Sequence, residues 1–430
     1  MYKAVVIGGG WSGCAAALAA RRAGAEVTLL EKTDLLLGLG NVGGIMRNNG
    51  RFTAAEENIA LGAGELFSIT DRCSRHINVD FPGHRHASLY DVVRTEPEVR
   101  RLLREAGVEI RMIARAVDCS VVRVGETKHL ESLTLADGST VSGDVFIECT
   151  GSTGPMGNCL AYGNGCSMCV LRCPAFGPRV SITQKAGNTD IMGRRSDGAF
   201  GAFSGSGKLV KESLSDEIRR KLDETGVVVI PLPKEEIHRE KLELKVCQQY
   251  ALPAFAENII LLDTGYAKIM TPFFSLEDLR RIPGFENARY ADPYAGGKGN
   301  SVRYLSVAER DDFLRAEGID NLLVGGEKAG LFVGHTEAIS TGTLAGYNAA
   351  KHLKGLPPMA LPRALAIGDL ICYARERLDT EEGLMSRYTF AGAEYFARMK
   401  EEGLYSTDRA EIEMRVKRSG LFGIYKERIC

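Results

Sequence analysis

The strongest constraint on the fold of this chain sits at its N-terminal end, in KAVVIGGGWSGCAAALAARRAGAEVTLLEK. Ala4 to Ile7 form the short apolar run that a strand buried on both faces needs. Gly8, Gly10 and Gly13 then follow in G-x-G-x-x-G spacing. The first glycine permits a tight turn, the second lets the backbone approach a pyrophosphate, and the third lets a helix pack on the strand. A helix from about Gly13 to Ala23 turns its free N–H groups and positive dipole end toward the phosphates. EVTLLE reads as the second strand and ends in Glu31, where an acid accepts hydrogen bonds from ribose hydroxyls. Strand, turn, helix and acid together predict a Rossmann-like dinucleotide site.

Composition bounds the rest. The chain has 430 residues and a net charge of −1, so it lacks the global basic field of a dedicated nucleic-acid binder. Its 49 glycines against 7% aromatics suit an α/β protein with many tight turns. The first strand begins at once, without a leader pattern, and no apolar run is long enough to cross a membrane. Eleven cysteines without a secretion signal point to a reducing compartment, so a cytoplasmic protein without membrane contact is expected.

Several features favour FAD over NAD as the dinucleotide. A second glycine-rich segment, GLGNVGG, offers Gly43 and Gly44 as cofactor contacts, and Arg47 just beyond it is a candidate for the FAD phosphates or a substrate anion. Residues from Val108 to Ser152 read as successive strands of a β-meander with a turn at Asp137-Gly138. They end in ECTG, with Gly151 at the turn, which resembles the segment closing the first FAD-binding half of two-dinucleotide-fold flavoproteins. Toward the C-terminus, Leu322 to Val324 read as a buried strand followed by Gly326 and Glu327. From about Thr336 the pattern is helical with a small-residue face. Gly334 and Thr336 flank the helix start, whose dipole would face the flavin. His335 and Glu337 are the candidate catalytic residues there. The alternatives are a plain helix-entry residue for His335 and an acid favoured by the dipole alone for Glu337. The fold class is therefore α/β. A discontinuous FAD domain (1–152 and 318–355) surrounds an inserted α+β substrate domain (153–317), and a helical segment (356–430) follows. That last segment is expected to cap the substrate domain or to mediate homo-oligomerisation.

TPFFSLEDLRRIPGFENARYADPYA, followed by GGEKAGLFVGHTEAISTGTLAGYNAAKHLKG, resembles the folate-dependent tRNA-modifying flavoproteins. These include the glucose-inhibited-division A type and the folate-dependent tRNA uridine methyltransferase. Gly326, Gly330, Gly334, Glu337, Ala338, Gly342, Ala345, Gly346, Asn348, Ala349 and Ala350 match that pattern. Glu327 stands where the pattern has Gln and His335 where it has Tyr, with one extra residue before Gly334. The resemblance implies FAD, an RNA-borne substrate and a folate donor. The methyltransferase type carries a cysteine in the loop after its second strand; here that region reads GLGNVGGIMRNNGRF.

Cys159, Cys166, Cys169 and Cys173 form C-x6-C-x2-C-x3-C-P, and the last three keep the ferredoxin spacing. A [4Fe–4S] cluster, a four-sulfur zinc site, a Cys166/Cys169 dithiol facing the flavin and plain buried cysteines all remain open. The other seven cysteines read as packing or surface residues. His84 and His86 form an H-x-H pair in VDFPGHRHAS, either a metal-binding pair or a solvated loop. Three functions compete. The first is an FAD-dependent oxidoreductase whose [4Fe–4S] cluster exchanges electrons with the flavin, fed by a ferredoxin-type or NAD(P)H donor and acting on a small-molecule or RNA-borne substrate. The second is a folate- and FAD-dependent RNA uridine methyltransferase. The third is a non-catalytic redox-sensing flavoprotein.

Overall fold

The computed structural model describes residues 2–151, 173–203, 207–271, 274–291 and 302–430. Its centre is a sheet of five strands: β1 (Lys3–Ile7), β2 (Glu26–Leu30), β3 (Glu109–Arg111), β4 (Val145–Glu148) and β5 (Leu322–Val324). The order is β5-β4-β1-β2-β3, and every pair is parallel. All of β4 and β5 is buried, which explains the apolar runs Val145 to Ile147 and Leu322 to Val324. Phe146 to Glu148 pair with Leu322 to Val324, so a strand after the insert completes a sheet begun before it.

This corrects the expected meander. Only Ala116–Val124, Thr127–Leu135 and Thr140–Ser142 form that antiparallel sheet, with the turn at Gly138 (φ 84°). The flanking strands β3 and β4 belong to the parallel sheet instead. β4 reads VFIE, and burial on both faces favours such a run over an alternating one.

Two helices stand on this sheet. Helix α1 spans Trp11–Arg22, starting two residues earlier than expected with Gly10 as its N-cap, and helix α2 spans His335–Leu353. They touch backbone to backbone. A Cβ on Gly342 would lie 2.1 Å from the Ser12 carbonyl oxygen, and one on Gly346 would lie 2.2 Å from that of Ala16. Both contacts advance by one helical turn in the same direction, so the helices run parallel. Their positive N-terminal ends lie together, beyond the carboxyl ends of the strands.

The insert carries a sheet of Gly207–Leu209, Ala267–Ile269, Asn258–Asp263 and Val227–Pro231. The Asn258–Asp263 strand alternates cleanly. Ile259 and Leu261 join a local core with Leu222 and Phe285, while Ile260 and Leu262 pack with Phe81, Leu89 and Phe255. The second set includes a hairpin, Ser74–Phe81 and His84–Tyr90, that projects from the nucleotide-binding half.

The same hairpin corrects the H-x-H reading. Plain alternation would set His84 and His86 on one face, but a register shift between the Val79–Ala87 and Phe81–His84 pairs, with His86 at φ 62°, breaks it. His84 is buried between the Phe81 and Tyr250 rings, with centroids 4.7 Å away on each side. Its Nδ1 accepts from Asn48 Nδ2 at 3.0 Å, which leaves Nε2–H to donate to the Gln249 carbonyl at 3.0 Å. Burial pulls its pKa from 6.5 down to about 3. The ring is a neutral packing element.

The C-terminal segment packs on the nucleotide-binding half and also meets the insert, where Gln248 Nε2 donates to the Met385 carbonyl at 2.9 Å and Arg387 Nη2 to the Arg194 carbonyl at 2.6 Å. Glu57, on the helix Gly50–Leu61, accepts from the Ala366 and Ile367 N–H groups at 2.9 and 3.1 Å. Thr53 donates to the Ser406 carbonyl at 2.6 Å, and the Ile429 and Cys430 N–H groups both donate to the Ala23 carbonyl. Among the described residues no helix is long and apolar enough to cross a membrane.

Two expected outcomes follow from this packing. Alanine is the better helix former by about 1 kcal/mol, yet Gly342→Ala is expected to lower stability by about 1–3 kcal/mol through the overpacked contact, read by denaturant titration. Between pH 6.5 and about 3 the unfolded chain binds a proton at His84 that the folded chain does not. Stability is therefore full above pH 6.5 and falls by up to about 1.4 kcal/mol per unit as pH drops through that window. His84→Gln is expected to flatten that slope in denaturant titrations run across the same range.

Candidate functional site

A cavity of about 410 Å³ lies beyond the carboxyl ends of the strands, where a doubly wound sheet binds its ligand. Ile7, Glu31, Cys149 and Gly325, at the ends of four adjacent strands, all line it.

The glycine turn divides its labour. A Cβ on Gly8 would lie 2.7 Å from the Cys149 carbonyl oxygen, and one on Gly13 would lie 1.8 Å from that of Gly8. These two are needed for packing. Gly10 has no heavy atom within 4 Å of its missing Cβ and lines the cavity, so it leaves room for a ligand at the start of α1. Glu31 Oε2 accepts from Gly9 N–H at 2.7 Å, and Oε1 accepts from the Thr33 N–H and hydroxyl at 2.8 and 2.9 Å. The carboxylate is thereby aimed along the cavity wall with lone pairs remaining for a ribose. Gly151 (φ 81°) completes this end.

At the other end the cavity meets the N-terminus of α2. Gly326, Glu327, Gly334 and His335 all line it. His335 Nδ1 lies 3.0 Å from the Tyr90 hydroxyl, and that hydroxyl donates to the Gly40 carbonyl at 2.7 Å. Nδ1 is therefore the protonated nitrogen, donating to Tyr90. Gly43 makes room for the ring, since a Cβ there would lie 1.8 Å from His335 Cε1. The Trp11 ring stands 6.2 Å from His335, centroid to centroid.

Four expected contacts do not reach the cavity. Glu337 is fully buried. It takes Arg51 Nε on both oxygens at 3.1 Å, the Thr389 hydroxyl at 2.7 Å and the Phe390 N–H at 2.9 Å. The acid thus ties the C-terminal segment to α2, while Arg51 lines the cavity in its place. Thr336 is buried with its hydroxyl 3.7 Å from Met46 Sδ. Gly44 turns the chain at φ 69° and accepts from Tyr90 N–H. Arg47 is held by Asp71 at 2.8 Å and Glu56 at 2.5 Å, so its charge is matched within the protein.

Cys159, Cys166 and Cys169 lie outside the described residues. Cys173 opens a short helix with its Sγ 3.9 Å from Lys32 Nζ. Among the described residues no cluster of three or more His, Cys, Asp or Glu side chains is arranged to hold a metal.

The insert supplies what the sequence reading missed. Lys245, Cys247, Gln249 and Tyr250 line the cavity on the side facing α2. Burial pulls the Lys245 pKa down to about 8. Cys247 carries no local motif, because it arrives only through packing of the insert against the hairpin. Arg179 lines the cavity near Thr150, to which it donates at 3.0 Å. Buried polar atoms of residues that line it have no partner among the described residues: Trp11 Nε1, Gln249 Oε1 and two nitrogens of Arg179. Helix ends, an open glycine, a ribose acceptor and unused polar atoms fit a long dinucleotide with a diphosphate at its middle.

The parallel sheet and this site define a Rossmann-like dinucleotide-binding protein. A profile of the family "Glucose inhibited division protein A" matches residues 3–245 and 268–357, and the chain belongs to that family. Among its relatives is the methylenetetrahydrofolate–tRNA-(uracil-5-)-methyltransferase TrmFO of Thermus thermophilus, 40% identical over 98 residues, which are 22% of this chain and 21% of the relative. The corresponding enzyme of Caldicellulosiruptor bescii is 35% identical over 94 residues, 22% of this chain and 21% of that protein. The match thus spans about a fifth of the length of these relatives. Aquifex aeolicus GidA in its form II crystal shares the fold, with a TM-score of 0.64 at 17% identity over 97% of this chain and 76% of that one.

The open side of Gly10 sets an expected outcome. Gly10→Val should leave the stability of the ligand-free chain within about 0.5 kcal/mol while abolishing retention of a dinucleotide, measured by thermal melting and by absorbance after heat release.

Proposed function

We propose that this chain is an FAD-dependent RNA-modifying enzyme that acts on the uracil ring of a tRNA, the second of the functions the sequence raised. The observation that carries the reading is the Cys247 thiol, which lines the same cavity as the glycine turn and the N-terminus of α2. FAD, when bound, supplies hydride and electron-pair chemistry. Gly10, Glu31 and the start of α1 would hold its adenosine diphosphate portion, and His335 with the start of α2 its ring. Support comes from membership in a family whose relatives include enzymes named as tRNA uracil methyltransferases. Nothing among the described residues favours the iron–sulfur oxidoreductase over it.

In this reading Cys247 is the nucleophile. A thiolate adds to C6 of a uracil, forming a carbon–sulfur bond and moving the ring's π electrons toward C5 and O4. The buried Lys245 is a cation two residues away on the same wall. Its ammonium donates to the Met270 carbonyl at 2.8 Å, so it would bear on the ring's developing negative charge through space rather than by contact. His335, held by Tyr90, keeps its orientation beside the reacting groups.

The experiment supplies the purified chain with FAD, NADPH, methylenetetrahydrofolate and a tRNA transcript, and reads methylated uridine by mass spectrometry of the nucleosides. Wild type is expected to form the product. Cys247→Ala should lose it by about 100-fold or more while retaining FAD. A wild-type chain that holds reduced flavin and tRNA yet forms no product would falsify the reading.

A further inference from the structure

We propose that Arg179 is an anion clasp for the diphosphate of the bound dinucleotide, an assignment that rests on the FAD reading above. Arg179 belongs to the insert but reaches back to the end of β4. Its Nη1 donates to the Thr150 hydroxyl at 3.0 Å. Thr150 donates in turn to Glu148 Oε1 at 2.7 Å. The same carboxylate accepts from the Ile182 and Thr183 N–H groups at 3.1 and 2.7 Å, which pins the main chain just beyond Arg179. The guanidinium is therefore fixed from both sides.

Its donors are not used up by this arrangement. Arg179 is 5% exposed, yet Nε and Nη2 have no hydrogen-bond partner among the described residues. Glu148 approaches only to 3.9 Å and already accepts three other bonds. Burial pulls the Arg179 pKa below the usual arginine range, although Glu148, Asp190 and Glu327 oppose the shift. Buried donors without partners cost free energy, so such a group calls for a ligand.

The position selects the ligand. Thr150, which holds Arg179, adjoins the glycine turn: a Cβ on Gly8 would lie 3.0 Å from Thr150 Cα. Gly10 faces open cavity just beyond, and α1 begins there. One wall thus offers helix N–H groups and the neighbouring wall a planar cation. A diphosphate, with two adjacent charged groups, meets both at once. A simple brace between the insert and Glu148 would need only the Thr150 bond.

The test uses full-length wild type, Arg179→Gln and Arg179→Lys, each freed of flavin. FAD affinity is measured by flavin fluorescence, and the bound diphosphate by phosphorus NMR. Arg179→Gln is expected to weaken FAD binding by about 10- to 100-fold, Arg179→Lys by less, and both should shift the diphosphate resonances. Unchanged affinity in Arg179→Gln overturns the assignment. So does weakened affinity with unmoved resonances, which marks a brace. Should Arg179→Gln not fold, Arg179→Lys decides by the same two measurements. Wild type that binds no FAD overturns the underlying reading as well; normal wild-type binding with indifferent variants overturns this assignment alone.

Discussion

The structure depends on the side-chain-free contact between α1 and α2. Gly342 and Gly346 let α2 lie on the carbonyls of Ser12 and Ala16, closer than any Cβ allows. These residues come from opposite ends of the nucleotide-binding half, with the whole insert between them. Their contact, with the pairing of β4 and β5, closes that half around the insert. Because the helices run parallel, it also sets two positive helix ends side by side at one cavity.

The insert completes the cavity by a second kind of contact. Its Asn258–Asp263 strand is apolar on both faces, one toward its own core and one toward the hairpin ending at Tyr90. This two-sided burial fixes the wall that carries Lys245, Cys247 and Tyr250. His84 is part of the same seam, which is why a residue resembling a metal ligand is a neutral stacked ring. The buried Arg51–Glu337 pair adds a third tie. It joins the start of α2 to Thr389 and Phe390, so the C-terminal segment bears on the site without touching it.

Much of the nucleotide end was legible in the chain. Gly8, Gly10, Gly13 and Glu31 are close in sequence, and their roles follow from the backbone of a single strand–turn–helix–strand unit. His335 was legible for a similar reason, as a residue at a helix start. Glu337 and Arg47 were misread because charge and position do not reveal a partner. Arg51, Asp71 and Glu56 satisfy them inside the protein. Cys247 and Arg179 were invisible as site residues, since neither sits in a local motif and both come from the insert.

The amino-acid sequence by itself determined the dinucleotide turn, the break of the nucleotide-binding half into two segments and the polarity of both helices. Those depend on local backbone freedom and on apolar runs, which are written in neighbouring residues. Only the tertiary structure decided which charges face the cavity and which are neutralised within the protein, and that a thiol from the insert lines the nucleotide cavity. Those outcomes depend on which side chains packing brings together, from Arg47 and Asp71 24 residues apart to Arg51 and Glu337 286 apart, and no motif along the chain encodes it.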